Sequence, residues 1–128
     1  MSDKGDISIR IEIFGVGNVE GVIIRHLGPI SADAILSKLP FVLRGRFAIG
    51  SKNYWTLPIG IKKGPDSKAT KNVEKGDIIY NPKTDEMIIL LETIEMPNKV
   101  NKIGRITANI ELFHKATNGM NTKISLLK

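Results

Sequence analysis

The chain has 128 residues, enough for one domain with a hydrophobic core of its own. It has no cysteine, which excludes disulfides and thiolate chemistry. Its 19 Lys and Arg against 13 Asp and Glu give a net charge of +6, which permits a nucleic-acid or acidic partner, although charges of both signs are intermixed as on an ordinary solvated surface.

No stretch approaches the roughly 18 apolar residues that a membrane-spanning helix requires. The opening "MSDKGDISIRIEIFG" lacks the basic, apolar and small-residue pattern of a leader. A single domain over residues 1–128, cytoplasmic and without a membrane partner, is expected.

Most of the chain reads as strand. In "DISIRIEIF" Ile7, Ile9, Ile11 and Ile13 alternate with polar residues, the mark of a half-buried strand. "GVGN" turns the chain into a second strand, "VEGVIIRHL". The wider "GVGNVEG" is not a dinucleotide fingerprint: the glycine spacing is wrong and strand rather than helix follows. "GPISADAILSKLP" is the one helix, with Ser31 expected as N-cap, Ala32, Ile35, Leu36 and Leu39 on the packed face, and Pro40 as stop.

"FVLRGRFAI" and "YWTLPIGI" then form a hairpin around "GSKN". Alternation puts Leu43, Phe47 and Ile49 on one face and Arg44 and Arg46 on the other. On the partner strand Trp55, Leu57 and Ile59 share a face opposite Tyr54, Thr56 and Pro58. A polar loop, "KKGPDSKATKN", leads to the strands "DIIYNP" and "MIILLET". "EMPNKVNK" reads as a loop around Pro97. "IGRITANIELFH" reads as a strand with Ile106, Ala108, Ile110 and Leu112 on one side, and "NGMNTKISLLK" as a short closing strand. Many short strands with tight turns and one helix imply an antiparallel barrel or sandwich.

His26 and His114 are the only histidines, and neither has metal-ligand spacing, so no metal and no cofactor is expected. No GxSxG elbow is present. Asp77, after a turn glycine, is expected to bond its own turn rather than to act as a base. The arginines are the more open feature, since a guanidinium offers paired planar donors to a carboxylate, a phosphate or a peptide carbonyl.

The order of these elements resembles a cyclophilin, and more closely the compact prokaryotic cyclophilin-like proteins. The likeness rests on Leu39-Pro40, on Arg44 or Arg46, on "YWTLPI", on "GDIIYNP" (Gly76 to Pro82) and on "NKIGRI" (Asn101 to Ile106), and it covers nearly the whole chain. It implies a mainly β fold, an antiparallel cyclophilin-like barrel with one short α-helix. In full-size cyclophilins the implied activity is peptidyl-prolyl isomerisation. There an arginine bonds the substrate carbonyl and weakens the amide resonance behind a barrier of roughly 18–20 kcal/mol. Arg46 or Arg44 would fill that catalytic role here, with Phe47, Trp55 or Tyr80 as pocket wall. The Phe-His-Arg and Gln-Gly-Gly-Asp stretches of cyclophilins have no counterpart, and Asn81 stands where compact relatives often carry tryptophan.

Three functions follow as expectations. The first is a non-catalytic module binding a peptide or small anion through Arg44, Arg46, Phe47, Tyr54, Trp55 and Tyr80. The second is a weak prolyl isomerase. The third is nucleic-acid binding through Lys62, Lys63, Lys68, Lys71 and Lys75.

Overall fold

The computed structural model describes residues 6–127. Ten strands account for about half of the described residues: β1 (Asp6–Ile13), β2 (Gly17–Ile24), β3 (Phe41–Arg44), β4 (Arg46–Phe47), β5 (Tyr54–Leu57), β6 (Thr70–Val73), β7 (Asp77–Asn81), β8 (Glu86–Leu90), β9 (Ile94–Ala108) and β10 (Asn121–Leu126). One helix, α1 (Pro29–Leu36), follows a 3-10 turn at Arg25–Leu27. All pairings are antiparallel, and the sheet runs β3-β10-β1-β2-β9-β7-β8-β5-β4, with β6 paired to β9 off this path.

The isoleucine alternation of the first strand is realised: Ile9, Ile11 and Ile13 are fully buried while the residues between them face outward. Each such side chain contributes about 1.5–3 kcal/mol by leaving water. They join Val19, Ile23, Trp55, Leu57, Ile78, Tyr80, Ile103 and Phe113 in the main core. The closing strand forms as expected and pairs with both β1 and β3.

The expected barrel is an open one. Its two end strands, β3 and β4, are not hydrogen-bonded to each other but are consecutive in the chain, joined by Gly45. The seam is stitched by the Gly45 N–H on Met120 O (2.9 Å), the Gly119 N–H on Gly45 O (2.8 Å) and the Phe47 N–H on the Asn118 Oδ1 (2.8 Å). A Cβ at Gly45 would lie 2.1 Å from the Trp55 indole, so only glycine fits there.

The helix starts earlier than Ser31. Gly28 is its N-cap and Pro29 opens it, because proline's fixed φ and missing N–H suit the first helical position. Ser31 is instead buried inside the helix, and Ala32 and Ile35 lie in the main core. Arg25 and Asp33 close the exposed side with a paired contact, Nε–Oδ1 2.7 Å and Nη2–Oδ2 3.2 Å.

Four further expectations are corrected. "EMPNKVNK" is strand, not loop, and the end of the lysine-rich loop is β6. Their ladder pairs Asn72 with Glu95 but Thr70 with Val100, so Met96–Lys99 bulge out and Pro97 has no ladder bond to make. The strand beginning "IGRITA" stops at Ala108, where Asn109 turns left-handed (φ 68°) into a 3-10 segment, Ile110–Lys115, that buries Phe113. Ile49 is fully exposed, because β4 ends at Phe47 and the chain turns away.

The isoleucines do not all point inward. The β6–β9 ribbon lies over the outer face of β7 and β8, enclosing a second core of Val73, Ile79, Ile88, Leu90, Met96 and Val100, with Tyr54 and Ile94 at its margin. Every residue of β7 is therefore buried, which is why its middle, Ile78–Tyr80, reads as an apolar run rather than an alternation.

Candidate functional site

The six residues singled out in the sequence are not brought to one surface. Trp55 is fully buried; its Nε1 donates to the Thr122 Oγ1 at 3.2 Å, and its ring meets Phe47 edge-on with centroids 4.9 Å apart. Phe47 is covered further by the Lys52 ammonium, 5.1 Å above its ring. Arg44 and Arg46 are exposed on the outer side of the seam. Tyr54 is half-buried against the second core, and its removal from water, with Glu86 nearby, raises its pKa. Tyr80 is buried on the opposite side of the sheet, in the main core. Asp77 opens β7, and its side chain bonds the turn before it, as expected. Its Oδ2 accepts the Glu74 N–H at 2.9 Å and also pairs with the Lys102 Nζ at 3.2 Å.

Tyr80, Asn81 and Asn101 are buried polar side chains that hold the surface above them. The Tyr80 hydroxyl donates to the Asp85 Oδ1 at 2.6 Å and accepts the Lys63 N–H at 3.1 Å. Asp85 Oδ1 also accepts the N–H groups of Ile61 and Lys62, both at 2.9 Å. Asn101, opposite Tyr80 in the β7–β9 ladder, accepts the Asp66 N–H (3.0 Å) and donates to Gly64 O (3.0 Å) and to the Ser31 Oγ (3.0 Å). Asn81 Oδ1 accepts the Lys83 N–H at 3.0 Å and the Asn98 amide at 2.8 Å. No buried side-chain nitrogen or oxygen among the described residues is left without a partner.

These bonds fix three chain segments around one cleft of about 400 Å³. The loop after β5 brings Lys63 and Pro65, the β7–β8 turn brings Pro82 and Lys83, and the β9 bulge brings Asn98 and Lys99. A bulge re-aims side chains that a regular ladder would alternate, and here it turns Asn98 and Lys99 to the cleft. The lining holds no carboxylate, and none of the three lysines is paired with one among the described residues. The Asn98 Nδ2 is spent on Asn81 and on Lys99 O (3.0 Å), so its Oδ1 is left as an acceptor.

Partial burial pushes the Asp85 carboxyl up. The hydrogen bond from Tyr80, those from the Lys62 and Ile61 N–H groups and the Lys62 charge outweigh that and hold it below the ordinary carboxylate range. The Tyr80 hydroxyl is raised by burial and by Asp85, so it stays protonated as the donor.

A larger depression of about 690 Å³ lies beside β6, and several of its polar groups are already engaged. Thr70 Oγ1 accepts the Asn72 N–H (3.1 Å), Thr93 Oγ1 the Lys75 N–H (3.0 Å), and Lys102 is paired with Asp77. Its remaining charges, on Glu74 and Glu95, are acidic. Among the described residues no group of three or more His, Cys, Asp or Glu is placed to hold a metal ion, and no helix is long and apolar enough to cross a membrane.

Of the cleft residues the sequence reading singled out only Lys63. The others share a proline within two residues of a lysine, in "KGP", "PK" and "PNK" (residues 63–65, 82–83 and 97–99), but Lys38-Leu39-Pro40, outside the cleft, has the same pattern. The remaining loop lysines, Lys62, Lys68, Lys71 and Lys75, are all exposed and spread from the loop through β6 to the next turn.

A model of the cyclophilin-like family matches residues 29–125. The chain belongs to the cyclophilin-like family. Among solved structures it is similar to the hypothetical protein AF2241 from Archaeoglobus fulgidus, with a TM-score of 0.79 at 18% identity, covering 99% of this chain and 100% of that one. It is also similar to McbB, solved in complex with tryptophan, with a TM-score of 0.77 at 12% identity, covering 91% of this chain and 44% of McbB. No curated protein matches the chain. At these identities the two structures establish the cyclophilin-like architecture and nothing finer.

Proposed function

We propose that this cyclophilin-like protein is a non-catalytic binding module for a small anionic ligand, held between Lys63, Lys83 and Lys99. The observation that carries the reading is the convergence of three unpaired lysines from three segments on one cleft. Like charges brought together repel, and an anion between them relieves that repulsion. Buried Tyr80, Asn81 and Asn101 supply the rigidity that a preformed site needs. The lining offers no carboxylate, histidine or hydroxyl; its polar side chains are three lysines and Asn98. Arg44 and Arg46 contribute in this reading only to the positive field of the surface.

The test is an amide NMR titration with sulfate, citrate, tryptophan and a proline-containing peptide. Shifts gathered at residues 63, 64, 66, 83, 98 and 99 on adding anions support the reading. Shifts gathered instead at Arg44 and Arg46, or none at up to about 10 mM anion, near the weakest binding worth the name, end it.

A further inference from the structure

Resting on that reading, we infer that the ligand of the Lys63–Lys83–Lys99 cleft is a ring-bearing phosphate monoester, of which a nucleoside monophosphate is the type. Three features of the cleft select it.

The first is charge. Three lysines and no carboxylate among the lining residues favour a dianion over a single carboxylate. A phosphate monoester carries about −1.5 to −2 near neutral pH and has three acceptor oxygens to distribute among them. Lysine serves such a group as a point charge and imposes no planar, paired geometry.

The second is the apolar floor. Pro65 and Pro82 line the cleft between the lysines. A prolyl ring has no N–H, so this surface offers an apolar face and no donor. A bare phosphate or a polycarboxylate leaves it unused, while a flat ring attached to the phosphate covers it. The volume, about 400 Å³, lies within the range of pockets that take small organic ligands rather than simple ions.

The third is Asn98. Its amide nitrogen is spent on Asn81 Oδ1 (2.8 Å) and Lys99 O (3.0 Å), which fixes the orientation of the amide. Its Oδ1, with no donor among the described residues, is an acceptor set among cations, where an anionic group is not its partner. It suits an N–H or O–H carried by the ring or its sugar.

The experiment is calorimetric and NMR titration of the full chain with adenosine 5′-monophosphate, ribose 5-phosphate, inorganic phosphate, adenosine and citrate. Adenosine monophosphate is expected to bind at least about tenfold more tightly than ribose 5-phosphate, inorganic phosphate or adenosine. Lys63→Ala, Lys83→Ala and Lys99→Ala are each expected to weaken it about tenfold, the scale of one charged hydrogen bond. These three positions are exposed, so the variants keep the fold, and unchanged circular dichroism confirms it. Asn98→Asp, which sets a negative charge at the acceptor position, is expected to weaken binding at least as much.

Equal affinity for adenosine monophosphate and inorganic phosphate overturns the ring requirement, and tighter binding of citrate overturns the phosphate; in both cases the anion-binding reading stands. Failure of every anion to shift residues 63, 64, 66, 83, 98 and 99 overturns both.

Discussion

Tyr80 on β7 and Asn101 on β9 face each other in the ladder, and both hold the same loop: Tyr80 through the Lys63 N–H, Asn101 through Gly64 O and the Asp66 N–H. A segment without regular structure is thereby pinned by two neighbouring side chains whose own bodies are buried. Asn101 ties in α1 as well, through the Ser31 Oγ. The loop's position is thus set by the sheet rather than by its own lysine-rich sequence.

Replacing Asn101 with leucine keeps the volume and removes every one of these bonds. The Asp66 N–H, Gly64 O and Ser31 hydroxyl lose their partner, and a buried group left unpaired costs about 1–3 kcal/mol. A stability loss of about 2–3 kcal/mol in chemical denaturation is expected. Faster amide hydrogen exchange at Asp66 is expected with it. An unchanged exchange rate at that position would show that the loop is held by something else.

The Tyr80–Asp85 contact predicts a pH dependence. The Asp85 carboxyl titrates below its unfolded value, so the folded state binds fewer protons than the unfolded state in between. Its contribution is present above about pH 4 and is lost as pH falls through the lowered folded value. Asp85→Asn is expected to flatten this acid limb of the stability curve, and Tyr80→Phe to lower stability by about 1–3 kcal/mol. Denaturation midpoints measured between pH 2 and pH 7, a window set around the carboxylate range, check both.

Gly45→Ala is expected to be far more damaging than alanine at an ordinary turn glycine. The new methyl meets a tryptophan ring that Phe47, Phe113 and Thr122 already confine. A loss of about 3 kcal/mol follows from overpacking of this kind. Displacement of Trp55 is expected to show as a shifted tryptophan emission, which an adjustment confined to the backbone would leave unmoved.

Ile88 tests the second core. If β7 and β8 had a solvated outer face, Ile88→Ala would change stability by less than about 0.5 kcal/mol, as at most surface positions. Covered by the β6–β9 ribbon, it is 1% exposed, and a loss of about 2–5 kcal/mol is expected. Urea titration of this variant distinguishes the two.

Where one face of a strand is wet, the sequence can spell it out: β1 follows from alternation alone. The apolar runs of β7 and β8 also marked them as strands, but gave no sign of what lay on their second face. The covering elements carry Thr, Lys, Asn and Pro on their exposed sides, and such residues read as loop. Ser31 was misread for a related reason, since an N-cap and a buried hydroxyl bonded to a distant asparagine use the same residue type. The cleft was the least legible feature. Its lysines are separated by 20 and 16 positions (63 to 83, 83 to 99), and they are gathered by the pairing of β7 with β9 and by the bonds from Tyr80 and Asn101 to the loop of Lys63. The residues that position it were present in the quoted stretches "GDIIYNP" and "NKIGRI", yet nothing in a pattern of residue types distinguishes a wall from a strut.

β9 runs unbroken from the rim of the cleft, at Asn98 and Lys99, to its pairing with β2 between Gly104 and Ala108. A ligand held at the rim end of that strand, as proposed above, binds the folded chain and not the unfolded one. Occupancy of a shallow basic hollow is therefore read out in the melting temperature of the whole molecule, and a thermal-shift screen becomes a direct assay for its occupant.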